Sequence, residues 1–163
     1  REAMPRVFGN LPRADVLVKP YPDFASSGVG EYHSSSEDGT RPGIYYIAVV
    51  EPEKRTRAWQ LSTLYHETYP GHHLQGAISL ELGEKVHPIA RYTYSSGFGE
   101  GWALYAEAEI KPYLPLEGQL IGLQHRLVRA ARAFLDPMLN TGRITVEEAR
   151  RILTDDYDDK PKG

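Results

Sequence analysis

The stretch HETYPGHHLQ, residues 66–75, decides how the chain must fold, because its histidines lack the spacing of a regular helical metal site. In the pattern His-Glu-x-x-His, two histidines four residues apart share one helical face and bind one metal ion. Here Pro70 occupies the fourth position, and His72 and His73 follow six and seven residues after His66. A continuous helix would separate these pairs by roughly 9 to 10 Å of rise, too far for one ion bound at about 2.0 to 2.1 Å.

Pro70 and Gly71 offer a way to restore the spacing. Proline lacks an N–H, and its ring clashes with the carbonyl four residues earlier, which here belongs to His66, while glycine tolerates unusual backbone angles. If these two residues form a bulge in the helix, His66 and His72 regain the ordinary order. We therefore predict His66 and His72 as metal ligands, and the spacing leaves His73 open as an alternative ligand.

Glu67 follows the first histidine and would face the bound metal without ligating it. Zinc lowers the pKa of a bound water to about 7, and a carboxylate within hydrogen-bond reach can accept its proton. We predict Glu67 as this catalytic base and one zinc ion as the cofactor, because zinc suits imidazole and carboxylate ligands. The chain has no cysteine, so thiolate ligands and disulfides are excluded.

A third ligand is expected from GEGWALYAEAE, residues 99–109. Glu100 and Glu107 lie seven residues apart, nearly on one face of a helix. The segment is otherwise so apolar that we expect the helix to be buried nearly all round, and buried carboxylates need a partner such as a cation. We predict Glu100 as the third ligand and Glu107 as a carboxylate that orients a histidine or serves as an alternative ligand.

Composition places the chain among globular proteins. It has 163 residues, of which 40% are apolar and 25% charged, with a net charge of -3 at pH 7. This length suits one core, so we predict a single domain over residues 1–163. The small net charge gives no reason to expect a nucleic-acid partner. No apolar run approaches the ~20 residues of a membrane span, so none is predicted.

Periodicity predicts a mainly α fold with a small β-sheet, an α+β class. Residues 15–19 and 43–50 are rich in β-branched and aromatic residues, which favours strands. Helical spacing predicts helices over residues 57–69, 72–83, 97–111 and 116–139, and a short helix opened by the Thr145 and Glu148 capping box. Residues 26–40 are predicted to form a surface loop, and residues 156–163 a frayed tail.

Three further residues are weak candidates for substrate binding. Tyr45 and Tyr46 alternate along segment 43–50, so packing explains both, unless the segment is an edge strand that binds an extended peptide. Arg129 belongs to a polar stripe of the longest helix, for which a solvated face is favoured over a carboxylate site. The same helix carries one apolar stripe, formed by Leu120, Leu123, Leu127, Ala131, Phe134 and Leu135.

Four motifs in the same order resemble the bacterial family known as domain of unknown function 885, whose members look like gluzincin metallopeptidases. They are HETYPGHHLQ, EGWALYAE at residues 100–107, RPGIYYI at 41–47 and RAARAFLD at 129–136. The resemblance implies a gluzincin-like core with the metal site between two helices and a zinc-dependent hydrolase that cleaves peptide or amide bonds. Peptides or small amides are then the expected substrates.

The chain also departs from the family pattern. Family members are usually several hundred residues long, so these 163 residues are interpreted as a fragment of a longer protein. Asn140 stands where many members have a histidine. The alternative hypothesis is therefore a truncated, catalytically inactive helical binding domain that a metal stabilises.

Overall fold

The computed structural model describes residues 4–22, 30–49, 52–54 and 56–156. Within these residues the chain is mainly helical, with one three-stranded sheet, which confirms the predicted α+β class. In chain order the elements are α1 (Met4–Val7), β1 (Val16–Pro20), β2 (Glu31–His33), β3 (Gly43–Ile47), α2 (Arg57–Glu67), α3 (His72–Glu81), α4 (Pro88–Tyr92), α5 (Ser96–Ile110), α6 (Leu116–Asn140) and α7 (Val146–Arg151).

The sheet has the strand order β1-β3-β2, with β1 parallel and β2 antiparallel to β3. Both predicted strands are present, as β1 and β3. The expectation that segment 43–50 could be an edge strand is wrong, because β3 is paired on both sides. The predicted loop 26–40 is also partly wrong, since β2 lies within it; residues 26–29 lie outside the described residues.

The first of two compact units, Arg1–Gly118, contains the sheet and the helices α1 to α5. Its core is formed by Met4, Tyr69, Leu74 and Ile110, and both α2 and α3 pack against α5. We expected α5 to be buried nearly all round, and this is wrong. Ala103, Ala106 and Glu107 are buried, whereas Phe98 and Tyr105 are exposed, so α5 buries one face as an amphipathic helix does.

The second unit, Gln119–Gly163, is built from most of α6 and from α7. Ala131, Leu135 and Ala149 form its core. The predicted capping box is confirmed, since the Thr145 side chain and the Glu148 side chain each accept the other's backbone N–H. The apolar stripe predicted on this helix is buried only at Ala131 and Leu135, because α7 covers that part; four members stay 41% to 66% exposed, namely Leu120, Leu123, Leu127 and Phe134.

The two units are each described by themselves, and the single domain over residues 1–163 stays a prediction. Residues 157–163, most of the predicted frayed tail, lie outside the described residues, and Ile152–Asp156 forms one turn of π-helix. None of the helices in the described ranges combines the length and the apolar composition needed to cross a membrane.

Candidate metal centre

The turn between α2 and α3 sets the positions of the two motif histidines. Helix α2 ends at Glu67 and α3 begins at His72, so residues 68–71 connect two separate helices. The Thr68 N–H donates to the carbonyl of Leu64 at 2.9 Å, and the Gly71 N–H donates to that of Tyr65 at 3.0 Å. The two separate helices predicted on either side of Pro70 and Gly71 are confirmed, whereas the expected two-residue bulge is wrong in form, because a turn of residues 68–71 joins them.

Gly71 is required by the close approach of this turn to the end of α2. A Cβ atom at this position would lie 1.7 Å from the carbonyl oxygen of His66 and 2.7 Å from that of Tyr65. Both atoms belong to the backbone, so no side-chain adjustment can relieve the clash. The sequence indicated glycine here for its conformational freedom, whereas the structure requires it for space, with φ at −79°.

The turn brings His66, His72 and Glu100 together. Each offers one ligand atom, and the three atoms lie within 4.8 Å of one another. His66 Nε2 is 3.3 Å from Glu100 Oε2, and His72 Nε2 is 3.6 Å from Glu100 Oε1. The two imidazole rings meet edge to face, with centroids 4.7 Å apart. The predicted ligand set thus forms one group, supplied by α2, α3 and α5.

Glu107 fixes the orientation of the His66 ring. Its Oε1 lies 2.6 Å from His66 Nδ1, and its Oε2 accepts a hydrogen bond from the Ser62 hydroxyl at 3.5 Å. A carboxylate can only accept here, so the proton of a neutral His66 ring lies on Nδ1 and the Nε2 lone pair faces Glu100. The buried Glu107 carboxylate orients a histidine, which is the position predicted for it.

The donor set fits a divalent cation. The Nε2 atom of His66 and a carboxylate oxygen of Glu100 face each other at 3.3 Å, and with the His66 proton on Nδ1 both are acceptors. Converging acceptors repel each other unless a cation or added protons lie between them. Two imidazole nitrogens and one carboxylate are the ligand types that zinc takes in sites with an open position. His66 and Glu100 are therefore arranged as such a site requires.

His73 points away from this group and into the core of the first unit. It is fully buried, and its Nδ1 accepts the Tyr32 hydroxyl at 2.9 Å. On the other side its Nε2 donates to the carbonyl of Ala14 at 3.1 Å and lies 3.2 Å from the Tyr69 hydroxyl. Both ring nitrogens are thus engaged with core groups, and the structure does not place His73 among the predicted ligands.

Glu67 lines the same cleft as His72 and Glu100. Burial raises the pKa of Glu67 to about 7, with the nearby carboxylates of Glu100 and Glu31 adding to the rise and His66 opposing it. Burial also lowers the pKa of His72, and His66 acts in the same direction. A lowered pKa favours the neutral imidazole, which is the form that binds metals.

Sequence reasoning missed two residues that hold the group in place. Trp102, counted only as an apolar residue of α5, donates its indole N–H to the carbonyl of Pro70 at 3.0 Å. Tyr94, just before α5, donates its hydroxyl to Glu100 Oε1 at 3.2 Å. The only sequence signal for these two contacts was the position of Trp102, two residues after Glu100. Spacing within one helix does not show which residue of another element a side chain contacts.

Two members of the group, His72 and Glu100, line an open cleft of about 1380 Å³ within the first unit. The end of α2 and the length of α3 form the floor, with Glu67 and His72 at one end. One wall consists of β2 and the loop after it, and the other of α4 and the start of α5. The second wall is apolar, with contributions from Val86, Ile89 and Phe98. Such a cleft has room for several residues of a peptide.

The described residues that line the cleft include none of the three weak substrate-binding candidates. Tyr45 on the central strand is 1% exposed and belongs to the core. Tyr46 points to the other face, where it stacks on Tyr21 with centroids 5.2 Å apart. Arg129 lies on α6 in the second unit, and its role in substrate binding stays a prediction.

Fold and site together define a class of protein, a mainly helical α+β chain with a two-histidine, one-glutamate group in a cleft. The chain belongs to the family described as "Bacterial protein of unknown function (DUF885)", whose model matches residues 1–162. This confirms the predicted family.

A solved structure shares the fold. The crystal structure described as "the putative lipoprotein from Colwellia psychrerythraea" is 33% identical to the chain, with a TM-score of 0.82. The match covers 98% of this chain and 28% of the other, so the chain spans little more than a quarter of that structure's length. No curated protein is significantly similar to the chain.

Proposed function

We propose that this chain carries the metal centre of a zinc-dependent hydrolase that cleaves peptide or amide bonds, with a gluzincin-like catalytic core. The single observation that supports the proposal most is the convergence of His66, His72 and Glu100 within 4.8 Å at the end of a cleft that Glu67 also lines. His66 and His72 come from two helices that meet at a turn, and Glu100 from a third helix. The ligand types are those of catalytic zinc sites with three protein ligands.

A zinc ion held there supplies Lewis acidity, which polarises a carbonyl group and lowers the pKa of water. Glu67 accepts the proton of the attacking water and delivers it to the leaving nitrogen, which balances the hydrolysis of the amide bond. Glu107 keeps the proton of His66 on Nδ1, so that Nε2 stays available as a ligand. Burial of Glu107 among α2 and α5 residues keeps this orientation fixed.

Tyr94 is the proposed donor to the oxyanion that develops on the substrate. Its hydroxyl lies 3.2 Å from Glu100 Oε1, at the edge of the group, and it lines the cleft. Burial and the Glu100 carboxylate raise the pKa of Tyr94, so the phenol stays protonated and able to donate near neutral pH. A donor aimed at the developing charge contributes more in the transition state than in the ground state.

The first test is the zinc content of the purified chain beside His66→Ala. We expect near-stoichiometric zinc in the parent chain and little in the variant, because the loss of one of three ligands weakens zinc binding strongly. His87→Ala is the matched control, since His87 is exposed at the start of α4 and outside the cleft lining. Equal zinc content in the parent and His66→Ala would contradict the proposed ligand set.

The second test separates binding from catalysis. Glu67→Gln should keep zinc and lose peptide turnover by at least about a hundredfold, within the range of general base catalysis. Glu117→Gln, at an exposed position of α6, is the control for the same chemical change. Undiminished turnover by Glu67→Gln would refute the mechanism.

The second candidate function is a metal-stabilised helical binding domain without catalysis. The chain spans 28% of the length of the similar Colwellia structure, so the activity of the whole protein is itself a proposal. Zinc bound by the parent chain, together with no turnover of any peptide or small amide, would support this function instead.

A further inference from the structure

The loop after β2 holds one arginine in a fixed position on the wall of the cleft. The carboxylate of Asp38 accepts hydrogen bonds from the Ser36 hydroxyl at 2.6 Å and from the Thr40 hydroxyl and N–H at 2.8 and 3.0 Å. The backbone N–H of Arg41 donates to the Ser36 hydroxyl at 2.9 Å, and its carbonyl accepts the Ser36 N–H at 3.1 Å. Residues 34–41 therefore form a rigid loop, and β3 begins two residues after Arg41.

Arg41 is the only arginine or lysine among the described residues that line the cleft. The other charged side chains there are carboxylates, which are Glu31, Glu37, Glu67 and Glu100. The guanidinium of Arg41 is exposed and forms no ion pair with a carboxylate of the described residues. Apart from a metal ion at His66, His72 and Glu100, Arg41 is therefore the positive charge of the described lining that a negatively charged group could meet.

Arg41 lines the same cleft as His72 and Glu100 of the candidate metal centre. The loop lies beside α3, because Gly39 is next to Ala14, whose N–H donates to Glu81 Oε1 at 3.0 Å and whose carbonyl accepts from His73 Nε2 at 3.1 Å. A peptide bound in this cleft can therefore contact both Arg41 and the metal centre.

We infer that Arg41 binds the carboxylate of a short peptide whose cleaved bond lies at the metal centre. The inference rests on the proposed function, since it takes the bond to lie at His66, His72 and Glu100. A guanidinium binds a carboxylate by two parallel hydrogen bonds, which favours arginine for this recognition. The carboxylate is either the C-terminus of the peptide or an acidic side chain.

Calorimetry on the Glu67→Gln chain with zinc tests this without cleavage of the probe. The probes are one hexapeptide as the free acid, as the C-terminal amide, and as the amide with aspartate as last residue. We expect the free acid to bind about 10-fold to 100-fold more tightly than the amide, the range for a hydrogen bond between charged groups. If the amide that ends in aspartate binds as tightly as the free acid, Arg41 accepts a side-chain carboxylate as well as a C-terminal one. If it binds as weakly as the plain amide, Arg41 is specific for the C-terminal carboxylate.

Arg41→Gln added to this chain should abolish the preference for the free acid, and Arg41→Lys should keep part of it. Arg57→Gln, with the same loss of charge outside the cleft lining, should leave the preference unchanged. Equal binding of acid and amide, no binding of either, or a preference that survives Arg41→Gln would each overturn the inference. If the parent chain cleaves peptides but binds acid and amide equally, the inference about Arg41 fails and the proposed function stands. If the free acid binds more tightly but no peptide is cleaved, the Arg41 site stands and the proposed function fails.

Discussion

The two compact units of the chain differ in what determines their structure. In the second unit, α7 begins at a capping box that four consecutive residues encode, and its core of Ala131, Leu135 and Ala149 follows helical spacing. In the first unit, the candidate metal centre depends on a turn, on a buried carboxylate and on hydrogen bonds between distant elements. The comparison shows that local signals are sufficient where one helix packs on the next, and insufficient where polar groups are buried.

The largest expected effect is that of Gly71→Ala, which breaks the turn in the first unit. The added Cβ would lie 1.7 Å from the His66 carbonyl oxygen, so α2 and α3 must separate. We expect the free energy of unfolding to fall by about 3 kcal/mol or more, at or above the upper end of overpacking costs. Urea unfolding and zinc content measure the two consequences, and both should change.

Gly101→Ala is the matched control for that substitution. Gly101 lies on α5 with nothing within 4 Å of an added Cβ, so alanine should raise the stability by about 0.5 to 1 kcal/mol. If Gly71→Ala were as harmless as Gly101→Ala, the turn would not depend on the absence of a side chain.

The second prediction separates the neighbouring histidines. His73→Ala removes hydrogen bonds to Tyr32 and Tyr69 and leaves a cavity in the core, so we expect a loss of about 3 kcal/mol of stability. His72→Ala should lose zinc binding and cost roughly 1 kcal/mol in the metal-free chain, less than His73→Ala, because the His72 ring is only partly buried and lines the open cleft. Thermal unfolding without metal, followed by zinc titration, distinguishes the two variants; a larger stability loss for His72→Ala would contradict the assignment.

The third prediction concerns the hydrogen bond that joins α5 to the turn. Trp102→Phe removes the indole donor at 3.0 Å from the Pro70 carbonyl and keeps most of the aromatic packing. We expect zinc affinity to fall about 10-fold, as for other partners that orient ligands, with roughly 1 to 2 kcal/mol of stability lost. A competitive zinc titration measures this, with Tyr105→Phe on the exposed face of α5 as control. Unchanged affinity in Trp102→Phe would show that the turn does not need this contact.

The smallest effect is expected in the second unit. Thr145→Ala removes the N-cap of α7, which should cost about 1 kcal/mol of stability and leave zinc binding unchanged. Unfolding monitored by circular dichroism and zinc titration provide the two readouts. A loss of zinc in this variant would mean that the centre depends on the second unit, contrary to the comparison above.

The effect of Thr145→Ala should also depend on pH. The backbone N–H and the hydroxyl of Thr145 lower the pKa of Glu148 in the folded chain. This contribution is fully present above the ordinary glutamate pKa and is lost as the pH falls through the lowered one. The stability difference between parent and variant should therefore shrink in acid, and unfolding curves at pH 7 and pH 3 measure it. A difference that grows in acid would contradict the capping interaction.

Much of the candidate site follows from two short motifs. HETYPGHH and EGWALYAE contain all three members of the converging group and the carboxylate that orients His66, and the family follows from the same residues. The choice between His72 and His73 could not be made, because adjacent helical residues point about 100° apart and either can face a cleft. The side of α3 that faces the cleft depends on Tyr32 and Ala14, which lie 41 and 59 residues away from His73.

The sequence by itself determined the α+β class, the main helices and the capping box, because periodicity and spacing record which faces must be buried. It also contained the residue types of the candidate metal centre. Only the tertiary structure decided that β3 is central, that the turn at residues 68–71 brings His66 and His72 together, and that Trp102 and Tyr94 support the group. These features come from close backbone approach and from hydrogen bonds between distant segments. A pattern along one segment does not contain the partner that satisfies a buried polar atom on another.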